Sequence, residues 1–239
     1  MMIELKKEPD SLFTSIVADD FSGLKESLMK KKEGLYVLFK TVDGHLEQSA
    51  ALKAELDYRA SMGRTAFITY NISDEAYHYL LAYIDSFKLK GYDKRYGGIN
   101  MPRTGEGAGC SAFSASFLEL INALTAEDSL NWQIKVNVPQ KLLGGKSGKQ
   151  KVSLRRLFFS YHWARSGAPC RQLILFDPQL MYDWIDKIWD DNQSGTNSKY
   201  KLKMIGNSKG LEIDCRNCSL QTPMFKTVCN NGAVTTAKQ

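Results

Sequence analysis

The chain of 239 residues has few histidines, an odd number of cysteines and no long apolar run. No segment approaches the roughly 18 consecutive apolar residues of a membrane-spanning helix, so no transmembrane segment is expected. One Cys-x-x-Cys pair exists, Cys215 and Cys218, but the absence of a second pair and of any later histidine argues against a structural zinc site. Only His45, His78 and His162 are available as a general base.

The cysteines and the start of the chain leave the cellular compartment open. A disulfide among Cys215, Cys218 and Cys229 is expected if the protein is exported, and free thiols are expected in a reducing compartment. The first ten residues carry too many charges for a signal-peptide core, so export, which we favour, requires that a leader has been trimmed.

Acidic residues are absent between Ser129 and Phe176, although the net charge of the whole chain is only +6. This local excess of positive charge predicts an anionic partner, such as a polymer or membrane headgroups; the alternative is a solvated face with a mobile lysine-glycine loop. The neighbouring aromatic residues match no nucleic-acid motif, so no specific nucleic-acid partner is expected. The basic residues of this segment are Lys135, Lys141, Lys146, Lys149, Lys151, Arg155, Arg156, Arg165 and Arg171.

The local pattern predicts an α+β fold with helices packed on a small antiparallel sheet. We expect an N-terminal helical extension in residues 1–33, an α+β core in residues 34–190 and a loop-rich extension in residues 191–239. Within the core, the pattern predicts strands at residues 35–39, 65–70, 136–138, 157–163 and 173–176, a turn at Asp43-Gly44, and helices at residues 50–61, from Ser73 to about Lys90, from Cys110, and from Pro178 to Trp189.

A glycine-rich segment delivers one cysteine to the start of a predicted helix. The segment Gly105-Glu106-Gly107-Ala108-Gly109-Cys110-Ser111-Ala112-Phe113 follows Tyr92-Asp93-Lys94-Arg95-Tyr96-Gly97-Gly98. The first turn of a helix has unpaired N–H groups and the positive end of the helix dipole, which favour a thiolate. Cys110 is therefore a candidate nucleophile; the alternative is a buried cysteine that only fills space.

This arrangement resembles the cysteine segment of NlpC-type papain-fold peptidases. The similarity covers about residues 73–123: a helix, a tyrosine, Gly-Gly, a short variable loop, and then Cys110 at a helix start. Members of that family cleave the peptide part of bacterial cell walls, and relatives in the superfamily are amidases or acyl transferases. The resemblance implies a papain-like core, a catalytic Cys110 and a histidine base.

The catalytic residues of that superfamily occur in two different orders along the chain, and each order selects a different histidine of this sequence as the base. In the usual order the base follows the cysteine, and His162 lies 52 positions after Cys110. In the permuted order, which we favour for the fold, the base precedes the cysteine on an early strand, and His45 takes this place with Glu47 as the residue that orients it. Tyr92 matches the tyrosine before the cysteine and is expected to line the site or to stabilise an oxyanion; the alternative is a packing role.

The sequence therefore predicts a thiol hydrolase, a peptidase or amidase, acting on a peptide-like or anionic polymer substrate. Neither a complete phosphate loop nor a dinucleotide fingerprint is present, and no cofactor is expected. The alternative is a catalytically incomplete binding protein on the same scaffold for an anionic polymer or a membrane surface, because neither histidine lies in an ideal context.

Overall fold

The computed structural model describes residues 1–48, 50–144, 151–159, 162–165, 167–193 and 200–228, and the strand Val234–Thr235. The fold is mixed α+β, as predicted. The helices are Ser22–Met29 (α1), Ala50–Ser61 (α2), Asp74–Leu89 (α3), Cys110–Leu120 (α4), Ala126–Trp132 (α5), Leu154–Phe159 (α6) and Pro178–Gln193 (α7). The strands are Ile3–Lys7 (β1), Asp10–Ala18 (β2), Val42–Glu47 (β3), Ala66–Ile72 (β4), Arg95–Tyr96 (β5), Gln133–Pro139 (β6), Cys170–Phe176 (β7), Lys201–Ile205 (β8), Ser208–Cys215 (β9), Thr227–Val228 (β10) and Val234–Thr235 (β11).

The N-terminal part of the chain forms strands, so the predicted N-terminal helical extension is wrong for residues 3–18. β1 and β2 pair antiparallel, and the sheet continues in the order β1-β2-β3-β5. The apolar residues of β2 have helical spacing because apolar side chains occur on both faces of the strand and both faces are covered. On one face, Ile16 is fully buried in the main core. On the other, the Phe13 ring lies under the Lys53 ammonium group of α2. A helix forms only over α1.

The main core lies between one face of this sheet and the helices α3 and α4. Ser73 caps α3 by accepting a hydrogen bond from the Ala76 N–H, as its sequence predicts. α3 ends at Leu89; Lys90 is its C-cap and Gly91 follows in a left-handed conformation. The Tyr83 ring packs between α3 and α4 and its hydroxyl bonds with the Ser116 hydroxyl at 3.0 Å. The largest buried side chains of this core are Tyr83, Phe87, Phe113, Ile16, Ile84, Leu120 and Ile121.

The C-terminal region is part of a second sheet, so the predicted boundary at residue 190 does not separate a core from an extension. β4 pairs in parallel with β9, and β9 pairs antiparallel with β8. α7 packs beside this sheet through Ile185. Because the pairing joins residues about 140 positions apart, no local pattern could indicate it. At the end of β9, Cys215 and Cys218 form a disulfide.

Three local predictions were wrong. The apolar run Leu35–Phe39 is a 3-10 helix rather than a strand, and Asp43-Gly44 lies inside β3 rather than in a turn. The predicted strand at residues 157–163 is helical in its first part, since α6 runs to Phe159. Short aromatic runs do not distinguish strand from helix by periodicity, because they lack the polar positions that would reveal it.

The other predicted elements are confirmed with small changes in their bounds. α2, β4, β6, β7 and α7 all lie where the sequence places them. The lysine-glycine loop of the basic segment falls partly outside the described residues, at 145–150. In the part of the chain that the structure describes, no helix has the length and apolar character needed to cross a membrane.

Candidate functional site

The segment before Cys110 is held against β5 by backbone hydrogen bonds. The Ala108 N–H donates to the Arg95 carbonyl at 3.0 Å, and the Gly97 N–H donates to the Ala108 carbonyl at 3.2 Å. Gly107 lies between these contacts with φ of +88°, and a Cβ atom there would lie 2.1 Å from the Arg95 carbonyl oxygen. Only glycine fits this position, because a side chain would meet both an unfavourable φ and a backbone atom.

A buried asparagine fixes the turn that faces this segment. Asn100 is 6% exposed; its Oδ1 accepts a hydrogen bond from the Thr41 hydroxyl at 3.0 Å, and its Nδ2 donates to the Glu106 carbonyl at 2.7 Å. A Cβ atom on Gly109 would lie 3.2 Å from the Gly98 Cα. The two glycine-rich segments therefore run in close contact, and their contact sets the position at which α4 begins.

Cys110 is the first residue of α4 and is half-buried with a free thiol. Gly109 is the N-cap and has no side chain that could occupy the N–H groups of the first turn. The Cys110 sulfur lies 3.9 Å from the Ser111 hydroxyl oxygen. The sequence prediction that Cys110 begins a helix is confirmed, and the N–H groups beside it can stabilise negative charge.

The tyrosine beside Cys110 is Tyr96. Its backbone pairs with Ala108, two residues before the cysteine, and both Tyr96 and Cys110 pack against the main core. Burial raises the pKa of Tyr96 to about 12, and the nearby cysteine contributes to the same shift. Tyr96 therefore keeps its proton across the physiological range, and its O–H can donate to a thiolate. Sequence reasoning missed this role although the residue lies in the segment it singled out.

Tyr92, the residue proposed from the sequence, packs in the core. Its ring meets Phe87 and Phe225 edge to face, with centroids 5.8 and 5.2 Å apart. A Cβ atom on Gly105 would lie 2.8 Å from its hydroxyl oxygen. The structure thus places Tyr92 under the loop that leads to Cys110, where it supports the loop.

His45 lies on the opposite face of the N-terminal sheet from Cys110. Side chains alternate along β3, and Leu46 joins the main core together with Tyr96 and Cys110. His45 therefore points to the other face, where Nδ1 pairs with Asp19 and Nε2 lies 3.4 Å from Glu47. The hydrogen bond to Asp19 is the main cause that raises the pKa of His45. Glu47 does lie beside His45, but the structure does not bring this pair to the cysteine.

His162 is exposed and lies beside β6. Two residues later, the Ala164 N–H donates to the Asn137 carbonyl of β6 at 2.8 Å. β6 in turn lies near the turn before the cysteine, because Ile99 packs against a second apolar cluster that contains Val138 of β6. Of the two predicted bases, His162 is thus attached to an element that borders the Cys110 loop.

Arg103 is a structural residue of the site that sequence reasoning did not find. Its guanidinium group is buried, with 4% exposure, and donates to the carbonyls of Met224 and Pro223 and to the Gln221 side chain at 2.6–3.0 Å. It also lies 3.4 Å from Glu119 of α4. Arg103 therefore ties the C-terminal segment to the loop before Cys110. No feature of the local sequence marks an arginine as buried.

The basic segment is spread over several elements. The Arg171 guanidinium group of β7 lies 4.1 Å from the centroid of the Phe39 ring, so it packs on an apolar surface. Arg155 and Arg156 of α6 are exposed. Lys146 and Lys149 lie outside the described residues.

Comparison with known proteins yields no relative: the chain matches no protein-family model, no curated protein and no solved structure. Within the described ranges, no group of three or more histidine, cysteine or acidic side chains is arranged to hold a metal ion.

Proposed function

We propose that the protein is a thiol hydrolase of the papain-like class, a peptidase or amidase in which Cys110 is the nucleophile. The observation that carries this proposal is the position of the Cys110 thiol at the first residue of α4, beside the Tyr96 hydroxyl. The helix N-terminus and a phenolic donor both favour the thiolate, which is the reactive form of cysteine. The NlpC-like sequence around Cys110 supports the same assignment.

In the proposed reaction, the Cys110 thiolate attacks the carbonyl carbon of an amide or ester and forms a carbon–sulfur bond. The N–H groups of the first turn of α4 stabilise the oxyanion. His162 accepts the thiol proton and passes it to the leaving amine or alcohol. Water then hydrolyses the thioester and releases the acid. Tyr96 stabilises the thiolate between cycles without giving up its own proton, since its pKa is about 12.

The test is hydrolysis of p-nitrophenyl acetate together with trapping of the acetyl-enzyme. We expect Cys110→Ala to abolish both turnover and acetylation, while Cys170→Ala, at an exposed free cysteine, leaves both unchanged. His162→Ala should lower kcat strongly, whereas His45→Ala should not, because His45 lies across the sheet. Activity retained in Cys110→Ala, with melting temperature unchanged, would reject the mechanism.

A second candidate function is a binding protein on this scaffold that lacks a complete catalytic set. The observation that favours it is the engagement of His45 with Asp19 and Glu47 away from the cysteine. If iodoacetamide at neutral pH alkylates Cys110 no faster than it alkylates the unfolded chain, the thiol is not activated and this second function is preferred.

A further inference from the structure

Large aromatic side chains are exposed on and after α6. Phe158 is 70% exposed, Phe159 is 80% exposed and Trp163 is 52% exposed. Soluble proteins expose single apolar residues routinely, but several large ones exposed within a short stretch of chain mark a surface that meets another phase or partner. We call the group formed by Arg155, Arg156, Phe158, Phe159 and Trp163 the aromatic-basic face.

The charges of this face have one sign. Arg155 precedes Phe158 and Phe159 by three and four positions, and Arg156 precedes Phe159 by three, so each ring has an arginine on its own side of the helix. Both arginines are exposed. Long arginine side chains can lie along an apolar layer while their charged ends remain in the polar layer above it.

The tertiary structure brings further lysines to the start of α6. The Val152 N–H donates to the Lys32 carbonyl at 2.7 Å, which places the exposed residues Lys30, Lys31 and Lys32 beside the chain that enters the helix. The neighbouring carboxylate, Glu33, is buried and paired with Lys40. Residues distant in sequence therefore add to the same positive surface.

We propose that the aromatic-basic face binds the surface of a membrane that contains anionic lipids. Phenylalanine and tryptophan side chains enter the boundary between headgroups and acyl chains, and arginine and lysine side chains pair with lipid phosphates. Adjacent phenylalanines on a helix point about 100° apart. Two rings that diverge in this way can both insert into the apolar layer of a membrane, which imposes no fixed ring orientation. They do not suit stacking on successive bases of a nucleic acid.

The test uses the full chain and vesicles of phosphatidylcholine with or without phosphatidylglycerol, followed by co-sedimentation and tryptophan fluorescence. Trp163 is a selective reporter because Trp132 and Trp189 are buried and Trp184 is half-buried. We expect binding to vesicles that contain phosphatidylglycerol, with a blue shift of emission that Trp163→Phe removes. Raising salt from about 0.1 M to about 1 M should weaken binding, because the screening length falls from about 10 to about 3 Å.

Paired variants separate the two contributions. Arg155→Gln with Arg156→Gln should weaken binding about 30-fold at low salt, and Phe158→Ser with Phe159→Ser should weaken it about tenfold or more. The charge control is Arg64→Gln with Lys187→Gln, which removes equal charge from other exposed positions. The apolar control is Met62→Ser with Leu89→Ser, which removes similar apolar groups from exposed positions. Both controls should bind vesicles as the wild type does. Melting temperatures verify that each variant folds.

Three results would overturn the proposal. The first is equal binding to vesicles with and without phosphatidylglycerol. The second is an equal loss of vesicle binding in the variants of the aromatic-basic face and in their matched controls. The third is tighter binding to a single-stranded oligonucleotide than to the anionic vesicles. The Cys110→Ala variant should bind vesicles as wild type does, so failure of the hydrolase proposal and failure of this one give different results.

Discussion

Tyr96 lies beside Cys110 because its backbone pairs with Ala108, two residues before the first residue of α4. Burial raises the pKa of Tyr96 to about 12, so its hydroxyl keeps its proton across the physiological range. The same pairing holds the segment that leads into α4, so the phenol lies near the N-terminus of that helix.

Removing the Tyr96 hydroxyl should make Cys110 less reactive. A hydrogen bond to a charged group contributes about 1.5–3 kcal/mol, so Tyr96→Phe is expected to slow iodoacetamide alkylation of Cys110 at neutral pH by about tenfold or more. Peptide-level mass spectrometry measures the rate at this cysteine alone. Tyr92→Phe is the matched control and should leave the rate unchanged; equal rates for wild type and Tyr96→Phe would remove Tyr96 from the site.

Substitution of Gly107 should destabilise the loop that positions Cys110. Gly107→Ala combines a positive φ with a contact of 2.1 Å to the Arg95 carbonyl oxygen. We expect a loss of about 3 kcal/mol in the free energy of unfolding, or a melting temperature lower by about 6–12 °C, together with slower alkylation of Cys110. Gly98→Ala is the control, because a Cβ atom there meets nothing within 4 Å. Equal melting temperatures for the two variants would contradict the prediction.

Replacing Arg103 by lysine should release the C-terminal segment even though the charge is kept. Lysine cannot reproduce the fork that bonds to Met224, Pro223 and Gln221. We expect a loss of about 3–5 kcal/mol, the usual cost of breaking a buried charged network, and faster hydrogen exchange in residues 221–226. Arg64→Lys, at an exposed position, serves as control. Unchanged exchange in the C-terminal segment would show that other contacts hold it.

His45 should titrate above its ordinary pKa of 6.5, because its protonated form bonds to Asp19. NMR titration can follow it, since the chain has three histidines. Asp19→Asn should lower this pKa, while Asp183→Asn on α7 should not. Because the pKa of His45 is higher in the folded chain than in the unfolded chain, protonation of His45 stabilises the fold below pH 6.5. This contribution is lost as the pH rises through the folded-state pKa. The stability of wild type relative to His45→Gln should therefore fall over that range; a difference constant with pH would show that the pair is not formed.

The predictions that were confirmed concern segments whose signals are local. Ser73 followed by acidic residues and a regular apolar stripe predicted α3, and the glycine-rich turn before Cys110 predicted the start of α4. The predictions that failed concern segments whose structure depends on distant partners. Residues 10–18 carry apolar groups at helical spacing, but β2 forms because β1 and β3 pair with it on both sides.

The candidate site divides in the same way. The sequence identified Cys110 and its helix, because a helix start is defined within a few residues. It left His45 and His162 open and named Tyr92 rather than Tyr96, because the face on which a strand residue points follows from pairing register, and a shift of one position reverses it.

The amino-acid sequence alone determined the α+β composition, the position of Cys110 at the start of a helix and the segment without acidic residues, since each is a property of neighbouring residues. The tertiary structure decided which tyrosine meets the thiol, which histidine lies across the sheet and which lysines join α6. Those relationships arise from pairing and packing between segments far apart in the chain, so no single segment of the sequence is enough to predict them.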